Sequence, residues 1–432
     1  MTTAYQPLTR RRFLGAVAAT AGARMLPGLT TRGAAASVPP DEIFSTRHFW
    51  YRLQPAGRYI DSQRGNKAFA YADGKIFLSE DNGHTWPRSI AFPDAQRITF
   101  SHILKNGNIV FATGPKLYLS SDSLKSYREV TVKAPDGSDY IPHTPKNPDN
   151  PGWYFHTLPG TVSWEVNGRE MMVWGNYCNV LGGATPVNLY YSTDSGRTVK
   201  IAYAFGRNPF FGDNGSPGGG KGGELLGNPD NPVICRHVHT VAYNPVENAF
   251  YACTGDLDRG LGHECHWLRG TYDARKDRWQ WTVLVSTNSN SRYKAGGINF
   301  VDGQVYWISD ANGERNDAYG PVGYDRGIFR CAPADITRPE KHTLLFNPEV
   351  ESGSMIIQDG VILSAHCGPA TPMNTGFIIS PDMGKTWAQY DLKEFGKRCP
   401  TRFHEKNGEG WFRVDLRAGW IQRAEVLFLK PK

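Results

Sequence analysis

The octapeptide Ser79-Glu80-Asp81-Asn82-Gly83-His84-Thr85-Trp86 returns far down the chain as Ser380-Pro381-Asp382-Met383-Gly384-Lys385-Thr386-Trp387. Ser192-Thr193-Asp194-Ser195-Gly196-Arg197-Thr198 lacks only the Trp, and Ser120-Ser121-Asp122-Ser123-Leu124-Lys125-Ser126-Tyr127 is a decayed copy. The chemistry of the motif is that of a tight hairpin. The aspartate accepts turn N–H bonds, the glycine takes up positive φ, and the aromatic ring packs beneath. A chain that repeats this motif is built from similar hairpin units rather than from unrelated domains.

A second mark supplies the period. Apolar strands meet at Asx-Gly turns at Asp73-Gly74, Asn106-Gly107, Asn167-Gly168, Asp302-Gly303, Asp359-Gly360 and Asn407-Gly408, and Asn244-Pro245 supplies one more. The units begin near residues 60, 98, 158, 233, 293, 350 and 398. Seven four-stranded units make an all-β chain, a seven-bladed β-propeller whose sheet edges are short and protected. Six blades is the alternative count. A strand within His48–Ser62 is expected to complete the last sheet and close the ring. The 47 Gly, 29 Pro, 20 Tyr and 12 Trp suit many short strands and turns, so residues 37–432 are expected to form one domain.

Residues 1–36 have the character of a leader expected to stay outside the fold: a basic start, a short Ala- and Gly-rich apolar run, and small residues at Ala34-Ala35-Ala36. Thr9-Arg10-Arg11-Arg12-Phe13-Leu14 has the pattern of a twin-arginine export signal, which implies a periplasmic or extracellular protein. No other stretch approaches the ~18–20 apolar residues of a spanning helix, and no membrane partner is expected. The net charge of +7 is modest. Without a basic run interleaved with aromatics, nucleic acid is not expected as a partner, whereas a basic surface suits an anionic ligand.

Chemistry-bearing residues concentrate between Cys235 and His266, which hold three of the seven cysteines and four of the twelve histidines. The run Arg236-His237-Val238-His239-Thr240-Val241 alternates as a strand with both histidines on one face, and Ala249–Cys253 returns as its partner. Pairing Tyr243 with Ala249 sets His239 opposite Cys253. The following loop, GDLDRGLGHECH, then carries His263, Cys265 or His266 back over the pair. Imidazole and thiolate are zinc's preferred ligands, four to a closed site. Against this stands a plain alternative, a buried cysteine beside unrelated histidines in packed strands.

Elsewhere, units aligned on their turns place Phe69, His102, Ser163, Ile298, Met355 and Phe403 four residues before the turn. His102 is the polar exception beside Ser163, with a buried, satisfied histidine as its alternative. Tyr177 ends the strand of MMVWGNYCNV, where its hydroxyl projects into the funnel or its ring packs. The Gly-rich stretch 212–232 has no GK[ST] and is not a phosphate loop.

The motifs GNYCNV, VNLYYSTDSG, RHVHTVAYNP and ACTGD resemble those of β-propeller polysaccharide lyases, the ulvan lyases and rhamnosyl-glucuronate lyases among them. The Ser-x-Asp repeats are similar to the Asp boxes of sialidase-like propellers. The resemblance implies a histidine and a tyrosine that move protons, an arginine that neutralises a uronate carboxylate, and a metal held by His and Cys. Carried onto this chain, it gives Tyr177 and His102, with His143 as a second base candidate and Arg236 as the arginine. The implied ligands are His239, Cys253, His263 and Cys265 around one structural divalent ion, zinc, with calcium as the alternative. The expected partner is an anionic, uronate-containing glycan, and the expected state a monomer. Two other classes stay open: a glycoside hydrolase, using carboxylate pairs such as Asp256/Asp258 or Asp310/Glu314, and a non-catalytic carbohydrate-binding propeller.

Overall fold

The computed structural model describes residues 4–7, 42–54, 57–114, 116–140, 161–177, 186–207, 227–255, 257–258, 263–287, 291–310, 327–348, 352–367, 375–391, 399–417 and 423–432. Their strands form seven antiparallel sheets with a core of four strands each, in chain order. The first strands of the blades are Tyr59–Arg64, Ile98–Ile103, Ser163–Val166, His237–Asn244, Ala295–Val301, Ser352–Gln358 and Cys399–His404. These starts follow the sequence period closely. The seventh sheet takes its fourth strand from the other end of the chain, Phe49–Leu53 pairing antiparallel with Arg423–Pro431. The ring therefore closes by hydrogen bonds between the two ends of the fold, within the segment expected to do so.

The apolar core lies between blades. Among the described residues, seven clusters of buried side chains fill the seven interfaces. Phe69, Ile76, Phe111 and Tyr118 join blades 1 and 2, and Ile60, Ala70, Trp411 and Phe428 join blades 7 and 1 across the closure. A ring of this kind stands only if each interface is packed, so the large aromatics go where two sheets face each other.

The repeated octapeptides lie between third and fourth strands. In the first, Ser79 Oγ donates to Asp81 Oδ1 at 2.6 Å, the Gly83 N–H donates to Ser79 Oγ at 2.9 Å, and the Thr85 N–H and hydroxyl donate to the two Asp81 oxygens. Bonds from Ser79 and Thr85 hold the Asp81 carboxyl down at about 2. Asn82 and Gly83 carry φ of 61° and 88°, the turn the glycine was expected to permit. The copies at Asp122, Asp194 and Asp382 repeat these bonds. Trp387 stacks on Phe346 of the neighbouring blade, ring centroids 5.0 Å apart.

Three details depart from expectation. Asp73-Gly74 joins the second and third strands of blade 1, and its first hairpin turns at Gly65-Asn66 instead. The residue four before that turn is therefore Asp61, the bulge residue of its strand, and Phe69 sits on the second strand. Next, the first strands of six blades carry a bulge near their start, at Ile60/Ser62, Ile98/Phe100, Val238/Thr240, Ala295/Gly297, Ser352/Met355 and Pro400/Arg402. Lastly, Ala4–Pro7 lies parallel to Ala388–Asp391 on the edge of blade 6, so this short piece of the expected leader joins a sheet. Arg10, Arg11, Arg12 and the Ala34–Ala36 site lie outside the described residues. No helix among the described residues is long and apolar enough to cross a membrane.

Candidate functional site

Strand direction divides the central channel into two ends. Each first strand starts at one end, here called the mouth, and runs to a hairpin turn at the other. Tyr177, just past the second strand of blade 3, belongs to the mouth. So do His237 and His239 at the start of blade 4, and Lys294 and Asp310, which flank the first two strands of blade 5.

Asn176 fixes Tyr177 in place. Its side chain receives the Asn188 N–H at 2.7 Å and donates to the Pro186 carbonyl at 2.9 Å, while its own carbonyl takes the Val238 N–H at 3.1 Å. The last bond ties blade 3 to blade 4. Gly175 is required beside it, since a Cβ there would stand 2.3 Å from Val238 Cβ. Tyr177 then lies flat on His237, ring centroids 3.9 Å apart and planes 20° from parallel. His237 Nε2 meets His239 Nε2 at 3.0 Å, so one ring nitrogen donates and the other accepts. His239 Nδ1 lies 3.6 Å from Asp310 Oδ2, and the same oxygen lies 3.9 Å from Lys294 Nζ. Both histidines are 1 % exposed, Lys294 4 % and Tyr177 7 %.

The bulge explains how two histidines spaced i, i+2 meet in this way. Val238 pairs with Thr254 and Thr240 with Cys253, leaving His239 as the extra residue. A bulge re-aims its residue and often sits beside a functional site. The expected His239–Cys253 opposition is therefore incorrect: Thr240 faces Cys253, and the His239 ring lies over Gly255. A Cβ on Gly255 would come 2.5 Å from His239 Cε1 and 3.0 Å from Lys294 Cγ.

The expected metal set is brought together only in part. Cys253 Sγ donates toward the Tyr293 carbonyl at 3.1 Å and accepts the Ala295 N–H at 3.3 Å, which turns it toward blade 5. Cys253 pairs with Trp267, and Cys265, two residues before Trp267 on that strand, is buried with Cys253 and Tyr293 between blades 4 and 5. His263 heads the same strand, but its side chain lies outside the described residues. Among the described residues no three His, Cys, Asp or Glu side chains gather as a metal-binding group. His266 is occupied structurally, its Nε2 at 2.9 Å from the Ile234 carbonyl.

His102 is not brought to Tyr177. It is the penultimate residue of its strand and belongs to the turn end. There its Nε2 meets Ser163 Oγ at 2.7 Å, and Ser163 donates to Glu170 Oε1 at 2.8 Å. Arg64 of blade 1 also binds Glu170 of blade 3, and Thr161 of blade 3 donates to Glu405 of blade 7 at 3.2 Å. These bonds reach past intervening blades and cross the channel. Burial, with Arg64 nearby, pushes His102 down to about 3, so its imidazole is neutral. His143 lies outside the described residues. Arg236 immediately precedes the blade 4 strand and is partly exposed. Of the carboxylates considered for a hydrolase, only Asp310 has a described side chain.

Sequence reasoning missed Lys294 and the mouth role of Asp310. Both sit just outside strands, where no periodicity marks them. A lysine before the alternating AGGINFV strand was the available signal.

No protein-family model matches the chain, and no curated protein matches it. Among solved structures it is similar to YCF48 bound to D1 peptide, at 13% identity over 90% of this chain and 97% of that one, TM-score 0.47. It is also similar to the extracellular domain of a hybrid two component system from B. thetaiotaomicron, at 13% identity over 88% of this chain and 41% of that one, TM-score 0.48. A GH43 β-1,3-galactosidase with galactodeoxynojirimycin is 13% identical over 70% of this chain and 93% of that one, TM-score 0.37. At such identities and scores these likenesses carry no argument about activity.

Proposed function

We propose that the chain is an exported polysaccharide lyase that cleaves at a uronic acid by β-elimination, on a rhamnosyl-glucuronate or ulvan-like glycan. The observation that carries this reading is the continuous series Tyr177, His237, His239, Asp310 and Lys294 at the mouth. It sets a phenol and an imidazole side by side, with a buried positive charge a few side chains away.

β-Elimination needs those three functions. The C5 proton of a uronate becomes acidic only when the adjacent carboxylate is neutralised, and a cation does that best where water is excluded. His237 then takes the C5 proton, the electron pair forms the C4–C5 double bond, and the C4–O4 bond breaks. Tyr177 delivers a proton to the departing oxygen. Each such transfer contributes on the order of 10²–10⁴-fold. His239 holds His237 in one tautomer through the 3.0 Å contact, and Asp310 lies behind His239.

A zinc-like ion would call on Cys265 and on His263 at the head of the same strand, since both ring nitrogens of His239 are taken up by the contacts with His237 and Asp310. When bound it would supply a fixed charge on that strand, and no step above passes through it. A hydrolase would instead call on a pair of carboxylates ~5–5.5 Å apart. The deciding experiment is incubation with rhamnosyl-glucuronate or ulvan-type oligosaccharides, read by the ultraviolet absorbance of an unsaturated uronate. Export is tested separately. With Arg10, Arg11 and Arg12 replaced by Lys, the precursor should stay in the cytoplasm, and undiminished export would remove the twin-arginine reading.

A further inference from the structure

Every pair of neighbouring blades shares an apolar seam, but the seam that closes the ring is built differently. Among the described residues, the cluster between blades 7 and 1 holds six buried side chains, Ala68 and Ala70 among them, against sixteen between blades 6 and 7. Beside that small cluster the seam is filled with charge. Asp61 of blade 1 and Arg402, Arg413 and Asp415 of blade 7 are each at most 1 % exposed. Arg402 Nε donates to Asp415 Oδ2 at 2.7 Å, and its Nη2 reaches across to Asp61 Oδ1 at 3.3 Å. Arg413 Nη1 lies 2.8 Å from Asp415 Oδ1 and donates across the seam to the Ile60 carbonyl. Ser101 of blade 2 donates to Asp61 Oδ2 at 2.6 Å. His404, kept neutral by its burial, faces Arg413 Nη2 through Nε2. The two carboxylates and the two guanidinium groups balance.

A buried ion network gains little over its own desolvation, whereas an apolar seam of the same size holds firmly. When an apolar seam parts, its surface meets water at a cost that scales with area. When this one parts, its charges are hydrated again, and Arg402 and Arg413 keep Asp415 because all three belong to blade 7. The closing strand stays on blade 7 through its backbone bonds to Arg423–Pro431. Only six steps of chain separate Leu53 from Tyr59, which limits the gap to ~20 Å. From this arrangement we infer that the ring opens at the 7–1 seam ahead of its other interfaces, with the ionic network as the lock. The Tyr177–His237 pair belongs to the blade 3–4 interface across the ring and stays assembled when the lock opens. The inference does not depend on the lyase reading.

Thiol labelling of the full-length protein tests this, with the labelled sites mapped by peptide mass spectrometry. Ala70→Cys places a thiol in the 7–1 cluster. Two native buried cysteines serve as controls in the same molecule, Cys235 between blades 3 and 4 and Cys331 between blades 4 and 5. The introduced thiol should react at least ~10-fold faster than either control. Asp61→Asn weakens the bond that Arg402 makes across the seam. It should speed the introduced thiol by a further ~10-fold and leave the controls unchanged. Ser101→Ala removes one bond to Asp61 and covers the case in which Asp61→Asn fails to fold. Replacing all four charges together (Asp61→Leu, Arg402→Met, Arg413→Met, Asp415→Leu) should slow the introduced thiol below its rate in the charged seam. An introduced thiol no faster than the controls would overturn the inference. So would rates that rise together at all three thiols in Asp61→Asn, because the ring would then be unfolding as a whole.

Discussion

Tyr177 and His237 lie face to face across the boundary between blades 3 and 4, ring centroids 3.9 Å apart and planes 20° from parallel. One comes from the end of a second strand and the other from the start of a first strand, so the site exists only once two blades have docked. The Asn176–Val238 backbone bond holds that docking in place. The proposed chemistry is thereby tied to the packing of one interface.

Replacing Tyr177 by Phe removes one oxygen and keeps the stacked ring. The expected result is an unchanged thermal midpoint with a rate lower by at least ~10²-fold. His102→Gln, by contrast, should leave the rate within a few-fold of wild type, because His102 belongs to the opposite end of the channel. Near wild-type rates in Tyr177→Phe would move the chemistry elsewhere. A large loss in His102→Gln would bring the turn end into the site.

Acid stability provides an independent check on two inward-facing histidines, the half-buried His102 and the buried His404. Burial pushes both His102 and His404 to about 3, with Arg413 adding to the effect at His404. The unfolded chain takes up these protons near 6.5 and the folded chain refuses them until about 3. Stability should therefore fall as pH drops through that window, by up to about 1.4 kcal/mol per pH unit for each histidine. Asp415 adds to the loss at lower pH: Arg413 and Arg402 hold its carboxyl well below the usual range against the cost of its burial. Denaturant midpoints at pH 7, 5.5 and 4.5 measure the slope, which His102→Gln should make shallower. A flat profile would show that these rings are hydrated.

The metal can be assayed directly. Purified protein should carry about one zinc-like ion per chain, lost in Cys265→Ser. Cys253→Ala should keep the ion and lower the thermal midpoint, since that sulfur is engaged by the Tyr293 carbonyl and the Ala295 N–H. Loss of the ion in Cys253→Ala would restore the four-ligand set expected from the sequence. Metal-free protein of full stability and activity would make the cluster ordinary packing.

The ring was legible because its signals are local. An Asp box or an Asx-Gly turn is a matter of a few adjacent residues, and each hairpin fixes the next. Blade starts could be counted from these alone, and a strand within His48–Ser62 could be assigned to the closure, where Phe49–Leu53 is found. The site was less legible because it depends on register and on neighbours. One bulge moved His239 off Cys253 and onto Gly255. One misassigned turn in blade 1 hid Asp61, which sits with Arg402, Arg413 and Asp415 in a fully buried ion network near the closure. His102 has the right chemistry for a base, but the hairpin carries it to the wrong end. Lys294 carried no motif. Only the ring brings it beside His239.

The most direct measurement of the central claim is the product formed from a rhamnosyl-glucuronate or ulvan-type oligosaccharide by wild type and Tyr177→Phe side by side. The account predicts that wild type releases a fragment whose new end is an unsaturated uronate, seen by its ultraviolet absorbance and by a mass one water lighter than the hydrolysis product. Tyr177→Phe should form the same product at least ~10²-fold more slowly. Saturated, water-added ends from an active wild type would contradict the account and assign the site to a hydrolase.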